Sequence, residues 1–208
     1  DRAKHQPLDA FDSTPLLRVL GICDGSGQPR ASMRAKLSQI NAFLREIDAV
    51  VPPDSGRRER LEIVDCGSGR AYLTLAAYCY LTSTLQRDVH VLGIDRNAAL
   101  VEQANRMASD LDVTSSVVFE TGDLAKCRAP PQRPDLLLSL HACDTATDEA
   151  IARGVEWRAR TMLLAPCCQH DLKLPVAGSL MALLRDGILR QRLEDLTTDA
   201  LRAQLLRV

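Results

Sequence analysis

Three aspartates follow three successive apolar runs: Asp65 after Leu61-Glu62-Ile63-Val64, Asp95 after Val89-His90-Val91-Leu92-Gly93-Ile94, and Asp123 shortly after Val117-Val118-Phe119-Glu120. The first aspartate leads into Cys66-Gly67-Ser68-Gly69-Arg70-Ala71, a glycine turn that opens into an apolar helical pattern. Gly67 and Gly69 can take backbone conformations that side chains forbid, so the main chain can come close to a ligand, and Ala71 keeps the third position small. Such a strand–turn–helix unit starts a nucleotide-binding α/β sheet. The acid ahead of the glycines narrows the ligand. A dinucleotide would bring a negatively charged pyrophosphate to this helix N-terminus, where an acid is unfavourable. Asp65 suits a ligand with a cationic group, the bland alternative being a tight turn with a helix-capping aspartate.

Asp95 lies one strand–helix–strand unit further on, where an acid can accept both hydroxyls of a ribose or else cap the next helix. Asp123, or its backbone carbonyl, can take an adenine amino group while Leu124 packs on the ring; Gly122-Asp123 can also be an ordinary turn. With Ser68 in the glycine turn and Arg96 beside Asp95, these residues form the candidate cofactor set. Three acids at three strand ends fit a neutral adenosine bearing a cationic amino acid, as in S-adenosylmethionine, better than a dinucleotide.

A second group of reactive side chains follows the later apolar runs: Leu140-His141-Ala142-Cys143-Asp144 and Ala165-Pro166-Cys167-Cys168-Gln169-His170. Adjacent fourth and fifth strands would bring them to one rim of the sheet. Cysteine and histidine suit zinc, but the spacing matches no standard Cys-x-x-Cys pair, and no metal is expected. His141 or His170 could instead serve as a general base or shape a substrate pocket, and the cysteines could simply pack as small apolar groups. The candidate catalytic residues are His141, Asp144 and His170. Cys23, Cys66, Cys79 and Cys127 read as packing residues.

The elements that must hold these groups follow from hydrophobic periodicity. Residues 1–30 are broken by prolines and glycines around one short helix near 15–20. Met33, Leu37, Ile40, Leu44 and Ile47 make an amphipathic helix that stops at Pro52-Pro53. From Leu61 onward, five apolar strands (61–65, 89–94, 117–120, 135–140 and 161–165) alternate with helices near 70–81 and 97–111 and one after Thr145. That last helix carries an apparent Thr145/Asp148 capping box and a closing Gly154. Further helices are expected near 176–186 and 198–207. Alternation of this kind means a parallel sheet covered on both faces. The division expected is an N-terminal helical segment, 1–55, packed on a main domain, 56–208.

Composition sets the outer limits. Hydrophobic residues make up 46% of 208 and aromatic residues only 3%, so Leu, Val, Ile and Ala must build the core. A net charge of −1 gives no global pull toward nucleic acid, although a local basic face from Arg57, Arg58, Arg60 and Arg70 would favour it. Seven cysteines without a disulfide-like pattern suggest reduced thiols in a cytoplasmic protein. No apolar run is long enough to span a membrane.

Taken together, Asp65-Cys66-Gly67-Ser68-Gly69, His141-Ala142-Cys143-Asp144 with Thr147-Asp148, and Pro166-Cys167-Cys168-Gln169-His170 resemble the class I S-adenosylmethionine-dependent methyltransferases. The likeness is to the branch related to eukaryotic tRNA 2′-O-methyltransferases, over about residues 33–172. That branch shares a His-x-Cys-Gly…Thr-Asp segment after strand four and a Cys-Cys-His-His-like segment after strand five. Here Asp144 stands for the glycine and Gln169 for one histidine, and the zinc-finger segment of the tRNA enzymes is missing. The resemblance implies a Rossmann-like doubly wound sheet, S-adenosylmethionine as cofactor, and an acceptor that is RNA first, then protein or a small molecule. The C-terminal antiparallel hairpin of that fold finds no matching runs, so five strands are expected. Two readings of other classes stay open: a non-catalytic methyltransferase-like module that binds RNA or protein, and an NAD-dependent oxidoreductase, which Asp65 disfavours.

Overall fold

The computed structural model describes residues 6–51, 60–140, 142, 144–166 and 170–207. Five strands, β1 (Leu61–Cys66), β2 (Val89–Asp95), β3 (Val117–Thr121), β4 (Leu136–Ser139) and β5 (Thr161–Leu164), form one sheet in the order β3-β2-β1-β4-β5. Every pairing is parallel. The central strands are buried on both faces, as their continuous apolar runs require. The chain winds outward from β1 through β2 to β3, then returns to place β4 on the other side of β1. Strand order therefore reverses between β1 and β4, and ligands of such sheets bind beside that reversal, at the carboxyl ends of the strands.

The helices cover both faces. Thr14–Val19 forms α1, Arg34–Val50 forms α2, Tyr72–Ser83 forms α3, Ala98–Asp110 forms α4 and Thr145–Glu156 forms α5. Ile40, Phe43, Leu44 and Ile47 of α2 are buried in the same core as Leu75, Ala76 and Tyr80 of α3 and Ile63 of β1. Asn41 accepts the Leu8 N–H inside this layer (3.1 Å), and the Tyr80 hydroxyl donates to Asp48 (2.9 Å). The N-terminal segment is thus stitched to the sheet by buried side chains. On the outer side of β3, the Asn105 side chain satisfies Phe119 through both its amide groups (2.8 and 3.0 Å), covering an otherwise bare strand edge. Gly93 in β2 is obligatory for a packing reason: a Cβ there would run into the Phe119 ring.

Two elements differ from the pattern read in the sequence. Thr145 is already helical and makes no cap; Asp144 holds the cap position with φ 53° and ψ −131°. Thr147 instead donates its hydroxyl back to the Ala142 carbonyl (2.7 Å). Gly154 does not stop α5, which runs on to Glu156; the glycine leaves room for the Met162 side chain of β5, and the left-handed residue past the end is Arg158. In the C-terminal part, a 3₁₀ turn (Gly178–Leu180) leads into α6 (Met181–Arg185), and α7 occupies Gly187–Leu205. It begins well before residue 198, because Asp186 caps it by accepting the N–H groups of Ile188 and Leu189 (3.0 Å each). Five strands are present among the described residues, and no described helix is long and apolar enough to cross a membrane.

Candidate functional site

The glycine turn leaves β1 at the reversal of strand order and crosses over the end of β2. Gly67 (φ 79°) and Gly69 (φ 55°) supply the left-handed conformations, and Ala71 (φ 56°) follows as the residue just ahead of α3. A Cβ at Gly67 would lie 3.4 Å from that of Ala142, so the turn after β1 and the loop after β4 meet here. The turn is tied down by its own backbone. Gly67 and Ser68 donate to the Ile94 carbonyl (2.8 and 3.2 Å), and Gly69 donates to Asp95 Oδ2 (2.8 Å).

Asp95 consequently holds two elements together, since its Oδ1 accepts the Asn97 N–H (2.8 Å) while Asn97 caps α4. Asn97 rather than Asp95 is thus the cap of α4, and the Asp95 carboxylate also faces an open cleft of about 750 Å³. Gly67, Arg96, Asp123, Leu124 and Asp144 line that cleft with it. Asp123 opens the turn after β3, with Oδ1 accepting from Ala125 (3.1 Å) and Lys126 Nζ at 3.7 Å from Oδ2. Leu124 is buried with Ile94, Leu137 and Trp157 and shows its remaining surface to the cleft.

Asp65 lies beneath the turn rather than in the cleft, only 3% exposed. Thr74, in the first turn of α3, donates its hydroxyl to Oδ2. Oδ1 is buried with no hydrogen-bond partner among the described residues, and so is the Ser68 hydroxyl oxygen. Burial is the main force pushing the Asp65 carboxyl up to about 7, helped by the negative charge of Asp95 and opposed by the Thr74 hydrogen bond. Among the described residues no lysine or arginine forms an ion pair with Asp65 or Asp95. Two acids thus flank the turn with no ion-pair partner among the described residues. Cys66, next on β1, is fully buried, and its thiol is held neutral by that burial.

The second rim is defined in part. His141, Cys143, Cys167, Cys168 and Gln169 lie outside the described residues. Asp144 lines the cleft, and its Oδ1 accepts the backbone N–H of His170. Among the described residues, the loop after β4 and the segment after β5 meet through Asp144 and His170. No cluster of three metal-ligating side chains occurs among the described residues. Arg60 is far from this site: it precedes β1 at the other edge of the sheet, about 20 Å away by strand rise, and pairs with Asp88 (3.5 Å). Arg57 and Arg58 are outside the described residues. Of the two described arginines of that set, Arg70 is exposed and stands at the turn.

Two contributors had no counterpart in the sequence reading. Thr74 carries the nine-residue spacing from Asp65 that joins the end of β1 to the first turn of α3. Arg202 of α7 reaches back to α5, donating to both oxygens of Asp148 (2.6 and 3.0 Å) and to the Asp144 carbonyl (3.0 Å).

A family model described as "Methyltransferase domain" matches residues 35–175, more than half of the chain. The chain belongs to this methyltransferase family. Among curated proteins nothing matches. Solved structures to which the methyltransferase chain is similar include a geranyl diphosphate methyltransferase in complex with SAM (18% identity, 63% of this chain and 49% of that one, TM-score 0.45). A SAM-dependent methyltransferase from Geobacter sulfurreducens in complex with S-adenosyl-L-homocysteine is another (19% identity, 61% and 46%, TM-score 0.41). A third is a putative S-adenosyl-L-methionine-dependent methyltransferase from Methanococcus maripaludis (17% identity, 64% and 57%, TM-score 0.42). The chain spans about half the length of these structures. None of the comparisons singles out the tRNA 2′-O-methyltransferase branch.

Proposed function

We propose that this chain binds S-adenosylmethionine and transfers its methyl group to an acceptor. The observation that carries this reading is the pair of acids at the glycine turn, neither in an ion pair among the described residues, and one of them, Asp65, with a buried oxygen that no described group satisfies. A pyrophosphate would meet repulsion there, whereas an ammonium group answers the charge of Asp65 and ribose hydroxyls can donate to Asp95.

In this reading Asp65, Gly67, Ser68 and Gly69 hold the amino acid part, Asp95 with Arg96 the ribose, and Asp123 with Leu124 the adenine. When bound, the cofactor supplies a methyl group on a positively charged sulfur that leaves as a neutral thioether. The chain's own residues contribute alignment, which is the large term in a displacement between two bound partners. The wall left for the acceptor is Ala142, Asp144 and the start of α5. Asp144, Thr145 and Glu149 are described polar side chains on it, and the His170 N–H holds Asp144 in place. His141 and His170 remain candidates for a proton-accepting or substrate-shaping role at that wall.

RNA is the acceptor class suggested by the late Cys- and His-containing motifs, with protein or a small molecule as the other classes. The free thiols of Cys23, Cys66, Cys79 and Cys127 fit a cytoplasmic setting. Titration calorimetry with S-adenosylmethionine and with NAD, on the wild type and Asp95→Ala, tests the cofactor. Binding of S-adenosylmethionine alone, weakened by the substitution, is the expected result; binding of NAD in its place would overturn it. Transfer of labelled methyl to tRNA, mixed protein and small-molecule acceptors then tests the acceptor.

A further inference from the structure

Asp65 carries an unusual combination. Its carboxyl is buried and, among the described residues, one oxygen has Thr74 as its sole donor and the other has none. The groups around it do not compensate. Its register partners, Gly93 on β2 and Leu138 on β4, bring no charge, and β2 adds the carboxylate of Asp95. From α3 comes the Thr74 hydroxyl, from the turn the unpartnered Ser68 hydroxyl, and on its own strand the neutral Cys66 thiol. An ionised carboxylate in such a place is costly unless a cation arrives. With no cation bound, a proton is the available substitute.

We infer that Asp65 and Thr74 form a proton-exchanging anchor, in which the empty protein keeps a proton on Asp65 and an incoming ammonium group displaces it to solvent. The exchange breaks the O–H bond of the carboxyl, leaves both electrons on oxygen, and pairs the resulting anion with the ammonium. Thr74 is a positioning residue: its hydroxyl donates to the carboxyl, favours the ionised form, and so sets the pH at which the exchange becomes easy. This inference rests on S-adenosylmethionine being the cofactor, and its test separates the two.

The test is titration calorimetry between pH 5 and 7, where an α-amino group stays charged, in pairs of buffers with different ionisation enthalpies. S-adenosylmethionine and 5′-methylthioadenosine, which lacks the amino acid part, are compared. With the Asp65 carboxyl at about 7, S-adenosylmethionine should release about half a proton at pH 7 and close to one proton at pH 5. Its affinity should fall about tenfold for each pH unit below 6. 5′-Methylthioadenosine should release none. Thr74→Val should move the proton-release profile to higher pH, and Thr74→Ser should restore it; melting curves confirm that each variant is folded. A buffer-independent enthalpy for S-adenosylmethionine at pH 6, or equal release with 5′-methylthioadenosine, overturns the anchor while leaving the cofactor reading intact. Failure of S-adenosylmethionine to bind at any pH overturns both.

Discussion

The turn after β1 and the face under α7 both bury charge, and they treat it in opposite ways. Glu194 of α7 is 1% exposed, yet it accepts the Leu174 N–H (2.9 Å) and has Lys173 and Arg190 within ion-pair reach (3.7 and 3.9 Å). Arg202 is 8% exposed and spends two nitrogens on Asp148 and the Asp144 carbonyl, with its third 3.6 Å from Asp199. Asp65 is as buried as these, but receives one hydroxyl and faces a second carboxylate. A buried charge with partners fixes one element on another; a buried charge without them keeps an energetic debt that a ligand can settle. By this criterion α7 is a structural clasp and Asp65 marks where a cation belongs.

The largest way to break that contrast is Asp65→Asn. Losing a charge-assisted contact to the ammonium should weaken S-adenosylmethionine binding by about 30-fold or more, roughly 2 kcal/mol. The free protein should melt no lower than the wild type, because a buried acid with one hydroxyl donor is replaced by a neutral amide whose oxygen can keep that donor. The sign with pH follows from the raised carboxyl. A carboxyl that goes from 3.8 to about 7 on folding adds stability that is complete below about pH 4 and is lost as pH climbs to 7. The asparagine does not titrate, so its melting point should gain on the wild type across that interval and hold the gap above it. A variant that melts several degrees lower at pH 8 would make Asp65 a structural residue like Glu194.

Asp95→Ala should be mixed, since Asp95 both faces the cleft and accepts Gly69 and Asn97. About a tenfold loss of cofactor affinity is expected, with about 1 kcal/mol of stability lost from the two freed N–H groups. Arg202→Leu should show the reverse pattern. It should cost about 2 kcal/mol by releasing Asp148 and the Asp144 carbonyl, a drop of roughly 4–8 °C in melting temperature, while affinity for S-adenosylmethionine changes less than about threefold. A larger change in affinity would show that the clasp acts on the cleft through Asp144.

How far the sequence reaches depends on the distance over which each device works. The strands and the glycine turn are written in contiguous residues, so β1 to β3, Gly67, Gly69 and the three strand-end aspartates could be found by reading along the chain. The errors came where a residue type has two uses. Gly154 serves packing against Met162 rather than a helix stop, and Asp186 caps α7 at Gly187, well ahead of the helix expected near 198–207. Thr145 and Asp148 have capping-box spacing, but Asp148 turns to Arg202, a partner so distant in sequence that no local pattern announces it. Thr74 is nearer, but its role exists only once α3 lies over the end of β1.

Asp144 joins the two regions, with its side chain on the cleft and its carbonyl on Arg202, and it allows the finest test. In the resembled family a glycine stands here, and the backbone shows why: φ 53° with ψ −131° is a conformation that glycine adopts freely and other residues adopt at a cost of about 1–3 kcal/mol. The aspartate offsets part of that cost through the hydrogen bond from the His170 N–H. Asp144→Ala loses the bond and keeps the strain; Asp144→Gly loses the bond and sheds the strain. The glycine variant should therefore be more stable than the alanine variant by about 1 kcal/mol, and within about 1 kcal/mol of the wild type, in denaturant melts. If the carboxylate also meets the acceptor, both variants should lose methyl transfer alike while binding S-adenosylmethionine as before. If its only task is to hold the His170 segment, the more stable glycine variant should retain more activity than alanine, because the Arg202 contact to the residue 144 carbonyl would then rest on an unstrained backbone.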